Sequence, residues 1–526
     1  MHIRALFPKI AMSTIAKTLL YVGSGLSIIL PLLAYAGYVP LRISDFLFFF
    51  LIVSLAAAYR PGWVFLLLVS VLPLETVNLA PSSFGTGIRP YQFLMMSIIV
   101  GLGIRFLMRR SLPAIPKPHL VDALLLLIPI GSLFAVVNAS APGASLRLSV
   151  ILFTYYALYA LFRIYIRSSE DVGRILPFFI VSSFLSVVAA IGQNLYFIYG
   201  NGLLEVMPGR PNAFFAEPDW LGMFLIVSIA VLISAWYMIA TRTESVRELF
   251  RMKRSLALFF ILSMNLVALV LSVSRSAWLG TVVTVLIAVA LPLAVKRRQV
   301  AGTMTASIVA GSIMAICLVV AIPLTTFDLF GRAGSIGSGL QTITVSCERE
   351  TALPAYVATV EDLASLGCRH IDLDEIDTEK STGRFVTEIN RNDPNISIRK
   401  QIYERSVSLG REHPVLGIGW GSVTRALGID ARGAGLNASD VFLEIWLGSG
   451  LLGIIGWIGF LCMLVTGAVR DFSRHKGTFP LFLLSAFGGL IVFDLFNSGI
   501  LLGFFWALLG IAGSYLAHVS EFSETL

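Results

Sequence analysis

Fourteen apolar stretches constrain this chain more than any motif does. Each comes close to the roughly 20 residues that a helix needs to cross the hydrocarbon core of a bilayer. They run at about 17–38, 43–59, 62–79, 90–108, 119–138, 147–166, 174–196, 219–240, 255–273, 276–295, 305–324, 441–469, 479–497 and 500–518. Composition agrees. Of 526 residues, 56% are hydrophobic and 13% charged, where a soluble domain carries about 25% charged residues. Mean hydropathy is +0.84. These values exclude a soluble enzyme, a disordered chain and a nucleic-acid-binding domain, even with a pI near 9.3. The expected fold is an all-α integral membrane protein of about 12–14 transmembrane helices with one large periplasmic loop domain.

The basic residues set an orientation. With the N-terminus inside, the cytoplasmic segments hold 22 Lys and Arg, from Arg4 to Lys476, and the short outer loops hold 5: Arg42, Arg89, Arg147, Arg210 and Arg275. That bias follows the positive-inside rule. The polar stretch 325–440 then falls outside. It carries 12 basic and 16 acidic residues, a net charge of −4, and long translocated segments are largely exempt from the rule. Three regions are expected: 1–324 with helices one to eleven, 325–440 as the loop domain, and 441–526 with the C-terminal helices. Lys9, Lys17, an apolar run and Ala34-Tyr35-Ala36 resemble a cleavable signal peptide. The length of the run favours a retained first helix. No internal repeat is visible.

Four cysteines divide cleanly. Cys317 and Cys462 lie in expected spans and suit packing. Cys347 and Cys368 both lie in the loop domain, where an oxidising compartment favours a disulfide between them; the alternative is two buried free thiols. No CxxC or Cys/His spacing suggests a metal site.

Two outer loops hold one basic residue each in distinctive sequence. The first is Pro208-Gly209-Arg210-Pro211-Asn212-Ala213-Phe214-Phe215-Ala216-Glu217-Pro218-Asp219-Trp220-Leu221-Gly222. Pro218 marks a helix start, and Glu217 and Asp219 suit its positive dipole end. Arg210 reads either as an anion-recognition residue or as a snorkelling side chain at lipid head groups. The second loop, Ser272-Val273-Ser274-Arg275-Ser276-Ala277-Trp278-Leu279-Gly280, is a very tight turn between spans. Arg275 there is a costly charge near the interface and needs a partner or a function. The guanidinium fork matches phosphate oxygens, so Arg210 and Arg275 together suit a diphosphate. The alternative is a structural ion pair with an acid such as Glu217 or Asp440.

The loop domain ends in a denser pattern. Ser397 to Glu412 reads as an amphipathic helix with Ile398, Ile402 and Leu409 on one face and Arg399, Arg405 and Arg411 elsewhere. His413-Pro414-Val415-Leu416-Gly417-Ile418-Gly419-Trp420-Gly421 follows. It is a turn with close backbone approach, not a P-loop, because no Gly-Lys-Ser/Thr follows. His413 reads as a general base or as a helix C-terminal cation. Asn437-Ala438-Ser439-Asp440 then enters the next span. Asn437 or Ser439 caps it, and Glu444 one turn inside faces either a cavity or another polar group. Asp494 is a second acid of that kind.

Taken together these segments resemble the O-antigen ligase and polymerase superfamily of bacterial membrane glycosyltransferases. The resemblance rests on Gly209-Arg210 with Glu217-Pro218, on Ser274 to Gly280, on Arg399 followed by His413 to Gly419, and on Asn437 to Gly453 with Leu443-Glu444 and Gly450-Leu451-Leu452-Gly453. It covers roughly residues 200–470. It implies an inner-membrane protein with both termini cytoplasmic and a periplasmic active site. The implied donor is a glycan on undecaprenyl diphosphate. The implied acceptor is a lipid-linked repeat unit (polymerase) or lipid A–core (ligase). Membrane lipid and polysaccharide-assembly proteins are the expected partners, with no nucleic acid, metal, cofactor or nucleotide sugar. Arg210 and Arg275 match positions that hold the diphosphate, with Glu217 and His413 as catalytic candidates. Arg399, Asn437, Asp440 and Glu444 are substrate-binding candidates. Ligases carry a His immediately before the Asn; here Leu436 stands there. Leucine takes no proton, which favours polymerase over ligase and leaves Glu217, His413 and Asp440 as candidate bases. The insert 342–380, with both cysteines and Asp372-Leu373-Asp374-Glu375, reads as an acceptor-shaping element or a neutral solvated insertion. A flippase for lipid-linked oligosaccharide is the competing class.

Overall fold

The computed structural model describes residues 13–200, 204–242, 252–325, 329, 340–349, 354, 356–357, 362–371, 375–392, 394–429 and 435–523. Arg4, Lys9, Arg247, Arg251 and the acidic run at 372–374 lie outside the described residues.

Among the described residues eleven α-helices precede the loop domain: α1 (Thr14–Tyr35), α2 (Ile43–Tyr59), α3 (Pro61–Ser70), α4 (Pro90–Leu107), α5 (Leu120–Ala135), α6 (Pro142–Tyr165), α7 (Ser169–Tyr199), α8 (Pro218–Ala240), α9 (Lys253–Leu271), α10 (Arg275–Ala294) and α11 (Arg298–Ala321). Among the described residues nine helices are long and apolar enough to cross a membrane, and five shorter apolar helices accompany them. The chain is a multi-pass membrane protein whose membrane part is all-α; the expectation of an all-α chain fails in the loop domain, which carries a four-stranded sheet. Helix starts follow their caps: Ser13 accepts from Ala16 N (3.2 Å) and Ser168 from Asp171 N (3.3 Å). The stretch expected to span at 62–79 is helical only over Pro61–Ser70. Pro73 follows, and proline biases its predecessor away from helix. The chain then returns through an irregular segment to α4.

The loop domain holds strands β1 (Leu340–Cys347), β2 (Tyr356–Val357), β3 (Cys368–His370) and β4 (Phe385–Asn392), with short helices α12 (Asp362–Ser365) and α13 (Ile376–Ser381). The sheet order is β2-β4-β1-β3. β1 runs antiparallel to β3 and β4, and β2 runs parallel to β4. Ile343, Val345 and Cys347 alternate along β1 and fill a small separate core with Val357, Leu363, Cys368 and Ile389. Cys347 and Cys368 face each other in register and are disulfide-bonded.

Helices α14 (Pro394–Glu412) and α15 (Trp420–Leu427) lead back to the bundle, which closes with α16 (Val441–His475), α17 (Thr478–Asp494), α18 (Gly503–Ala517) and α19 (Val519–Ser523). The innermost span is α8, with 19 of its 23 residues buried. Around it pack α9, α10 and α17. α10 and α17 approach through Gly280 and Gly489, where a Cβ on either glycine would lie 2.6–2.7 Å from the other's carbonyl oxygen. Close backbone approach through small residues is how helices associate in lipid. α1 and α2 sit at the rim with mostly exposed apolar side chains.

α16 is broken. Gly450 takes φ 62° and ψ −159°, which is not helical. The segment His413–Gly419 docks into the break. Ile418 N and Gly419 N donate to Leu447 O (2.7 and 3.1 Å), and Leu451 N donates to Val415 O (2.8 Å). Backbone groups freed inside an apolar layer must be re-paired, and this loop re-pairs them. The remaining 25 residues of α16 would measure about 37 Å, enough to cross the hydrocarbon alone.

Candidate active site

The loop between α7 and α8 is built from its polar residues outward. Gln193 on α7 accepts from Asn212 N (3.1 Å) and Ala213 N (2.7 Å) and donates to Ala213 O (3.1 Å). Asn212 accepts from Val206 N (3.2 Å) and donates to Phe215 O. Glu205 accepts from Gly209 N (3.3 Å), where the chain turns with φ 68°. Burial pushes the Glu205 carboxyl above its ordinary range. Phe214 O accepts from Glu75 N and Thr76 N, both at 3.0 Å. The irregular segment after α3 therefore braces the same loop.

This scaffold holds Arg210, whose side chain is only 15% exposed. Its Nε donates to Ser272 O (3.1 Å), in the turn between α9 and α10. Its Nη2 lies 3.6 Å from Asp219 Oδ1, beyond hydrogen-bonding distance. Ser274 donates to the same Asp219 oxygen. Ser274 also caps α10, accepting from Ala277 N (3.4 Å). Arg275 is the first residue of α10 and is half-buried. Glu217 occupies the N-cap of α8 but makes no side-chain cap bond there. Both sequence motifs thus meet at one face, joined through Asp219 and Ser274.

The third component is the segment between α17 and α18. Asn497 Nδ2 donates to Ser276 Oγ (2.7 Å), and Ser276 lies 3.2 Å from Ser274 Oγ. Helix α14 grips the same segment. Tyr403 OH bonds Leu495 O (3.0 Å) and Ser439 O (3.3 Å), and the Arg399 guanidinium sits 5.7 Å over the Phe496 ring. Burial raises the Tyr403 hydroxyl above its ordinary pKa.

Asn437 and its neighbours form a cap. Asn437 Oδ1 accepts from Ser439 N (2.9 Å) and Ser439 Oγ (3.3 Å), closing an Asx turn around Ser439, which has φ 52°. Asp440 is the N-cap of α16 and accepts from Leu443 N (2.8 Å). Burial raises the Asp440 carboxyl above the usual carboxylate range. Glu444 is buried and accepts from Ala438 N (2.5 Å). His413 follows the last residue of α14, and its backbone N donates to Leu409 O (3.0 Å). Glu412 is nine residues beyond Tyr403, about 14 Å along the helix. The structure therefore brings together Arg210, Asp219, Ser274 and the start of α10. Arg399 and Asp440 lie on the neighbouring α14–α16 contact, and His413 stands at the far end of α14.

Several residues of this face are not singled out in the sequence: Gln193, Glu205, Tyr403, Asn497 and Glu75, the partner of the outer-loop Arg89. Arg89 Nε lies 2.6 Å from Glu75 Oε2, and Glu75 Oε1 accepts from Gly503 N (2.7 Å) at the start of α18. The available signal was a polar residue inside an apolar run, as at Gln193, or a short polar break between two spans, as at Asn497-Ser498. Among the described residues no group of three or more His, Cys, Asp or Glu is placed to hold a metal.

Residues 256–458 match the family model described as O-antigen ligase. The match runs from α9 into α16 and takes in Arg275, Arg399, His413, Asn437, Asp440 and Glu444; the Arg210 loop precedes it. No curated protein matches the chain.

Proposed function

We propose, from the match of residues 256–458 to the family model described as O-antigen ligase, that this protein is a membrane glycosyltransferase that polymerises polysaccharide repeat units carried on undecaprenyl diphosphate. The observation that carries the reading is the meeting of Arg210 with the start of α10 through Asp219 and Ser274. Two guanidinium groups on one face suit a diphosphate leaving group, because fixed cations stabilise the charge that develops as the glycosyl bond breaks. The face is periplasmic in this reading, and both termini are cytoplasmic, which the 22 to 5 division of basic residues supports.

In the reaction the acceptor hydroxyl oxygen attacks the anomeric carbon of the donor glycan. The bond from that carbon to the diphosphate breaks, and the electron pair leaves with the diphosphate toward Arg210 and Arg275. The hydroxyl proton passes to a carboxylate. Asp440 is the best placed candidate base of the three: it stands at the α14–α16 contact, and its burial raises its basicity. Glu217 sits at a helix start and His413 at the far end of α14. Arg399 and the Asn437 turn border the acceptor side.

The family description names a ligase, and transfer to lipid A–core is the second reading. Leu436 favours the polymerase, since it stands where ligases carry their His. A strain lacking the protein separates the two. Single repeats remaining on undecaprenyl diphosphate are the expected result. Long polymer on undecaprenyl diphosphate that never reaches lipid A–core would establish the ligase instead. Arg210→Ala should insert and fold yet lose product by roughly 10²–10³-fold; full activity in that variant would remove the diphosphate clamp.

A further inference from the structure

Asp219 Oδ1 and Arg210 Nη2 form an ion pair at 3.6 Å, too long for a hydrogen bond. The separation of 3.6 Å leaves Arg210 Nη2 without a hydrogen bond among the described residues, while its Nε is tethered to Ser272 O (3.1 Å). What holds the carboxylate off is visible in the neighbouring hydroxyls. Ser274 donates its proton to Asp219 Oδ1, since an ionised carboxylate can only accept. Having given that proton, Ser274 Oγ must accept across its 3.2 Å contact with Ser276 Oγ. Ser276 in turn must accept from Asn497 Nδ2, 2.7 Å away. The directions are forced, and all three donors point toward Asp219. Such chains polarise cooperatively. Ser274 and Ser276 are both buried, so bulk water does not replace a missing link.

We propose that Asn497 is a positioning residue of the donor site: through Ser276 and Ser274 it keeps Asp219 engaged, so that Arg210 Nη2 stays open to an anionic oxygen of the donor diphosphate. The Asn497 end of the chain is itself held in place. Tyr403 bonds Leu495 O and Arg399 covers Phe496, so α14 fixes the segment that carries Asn497. Without the amide, Ser276 can turn its hydroxyl away and Ser274 loses the side-chain donor that Ser276 supplies. Asp219 then closes on Arg210 and competes with the diphosphate. This inference rests on the glycosyltransferase reading above.

The test uses the full-length protein in detergent or vesicles, with a synthetic polyprenyl-diphosphate glycan as donor. Asn497→Asp keeps the shape of the side chain and removes the donor. It should raise the donor KM about tenfold and leave the acceptor KM unchanged. Asn497→Ala and Ser276→Ala should do the same, and the double variant should be no worse than either single one. In an Asp219→Asn background, where the competing charge is gone, Asn497→Asp should change donor KM by less than twofold. A purely structural Asn497 would add its effect in every background. Unchanged donor KM in Asn497→Asp, or full additivity with Asp219→Asn, overturns the proposal. Arg210→Ala serves as the separate check: if it keeps full activity, the clamp reading has failed rather than this one. Should Asn497→Ala fold poorly, Asn497→Asp and Ser276→Ala still decide the matter.

Discussion

Leu451 N donates to Val415 O at 2.8 Å, straight across the gap that Gly450 opens in α16. The turn that carries His413 and two glycines is therefore a splint in a broken helix, and its glycines serve backbone contact. A Cβ on Gly450 would lie 2.2 Å from Val415 O, and one on Gly417 2.5 Å from Leu447 O. Both glycines have φ in the left-handed region, at 62° and 75°.

Gly450→Ala should accordingly be among the most damaging single changes in the chain. Left-handed backbone costs a residue with Cβ roughly 1–2 kcal/mol, and overpacking adds roughly 1–3 kcal/mol. Thermal unfolding in detergent should show a large fall in Tm. Gly62→Ala, with no atom within 4 Å of the new Cβ, is the control and should be neutral. Equal Tm values for the two variants would contradict the splint.

The Arg210 loop offers a second test, away from the reacting groups. Gln193→Ala removes the acceptor for two backbone N–H groups and the donor to Ala213 O. The loop should loosen and Arg210 should lose its aim. Small misplacements of this kind cost on the order of 10²-fold in rate. Measured kcat/KM should fall by about that factor. Gln193→Glu keeps the acceptor oxygens and should lose less. If both variants retained full activity, the loop would not depend on Gln193.

The membrane architecture was legible because spans are written in hydropathy: among the described residues nine of the fourteen expected stretches are helices long and apolar enough to cross a membrane, and the other five are shorter apolar helices. The tight Ser272–Ser274 turn and the helix ending at Glu412 could also be read directly, from a Ser-Arg-Ser break and an amphipathic period. The four-stranded sheet could not, because β2 and β3 are two and three residues long and carry no periodicity. The break at Gly450 was hidden for another reason. Gly450 looks like any small residue of an apolar helix until its partner, Val415, 35 positions earlier, is known. Asn497 is inconspicuous for the same reason, since its meaning lies in Ser276 on a helix far back in the chain. Long-range polar pairing leaves little local trace.

The disulfide should matter to the loop domain alone. Cys347 and Cys368 are separated by 21 positions and tie the edge strand β3 to β1. Closing a loop of that size stabilises by roughly 3 kcal/mol in the chain-entropy model. Cys347→Ser with Cys368→Ser should lower the urea midpoint of the loop domain, followed by limited proteolysis, and leave the helical signal of the bundle in place. A reductant should reproduce the effect in the native protein and change nothing in the double variant. Loss of the bundle together with the loop domain would show that the two unfold as one unit.

Asp440 provides the pH test. Burial raises its carboxyl above the ordinary value in the folded protein. The fold therefore favours the neutral acid. The stability this contributes is fully present below the unfolded-state pKa and is lost as pH rises through the raised folded value. Asp440→Asn keeps a cap for Leu443 N, since Asn caps about as well as Asp, and it removes the buried charge. At pH 7 the variant should be at least as stable as the native protein, and the advantage should vanish toward low pH. Catalysis should go the opposite way. In the proposed reaction Asp440 takes the acceptor proton, which only the carboxylate can do, so kcat/KM of the native protein should rise with pH through the raised pKa. Asp440→Asn should lose that limb along with roughly 10²–10⁴-fold in rate. Native rates with an unchanged acid limb in Asp440→Asn would move the base to Glu217 or His413, while unchanged stability at pH 7 would show that the buried charge carries no penalty at this helix start.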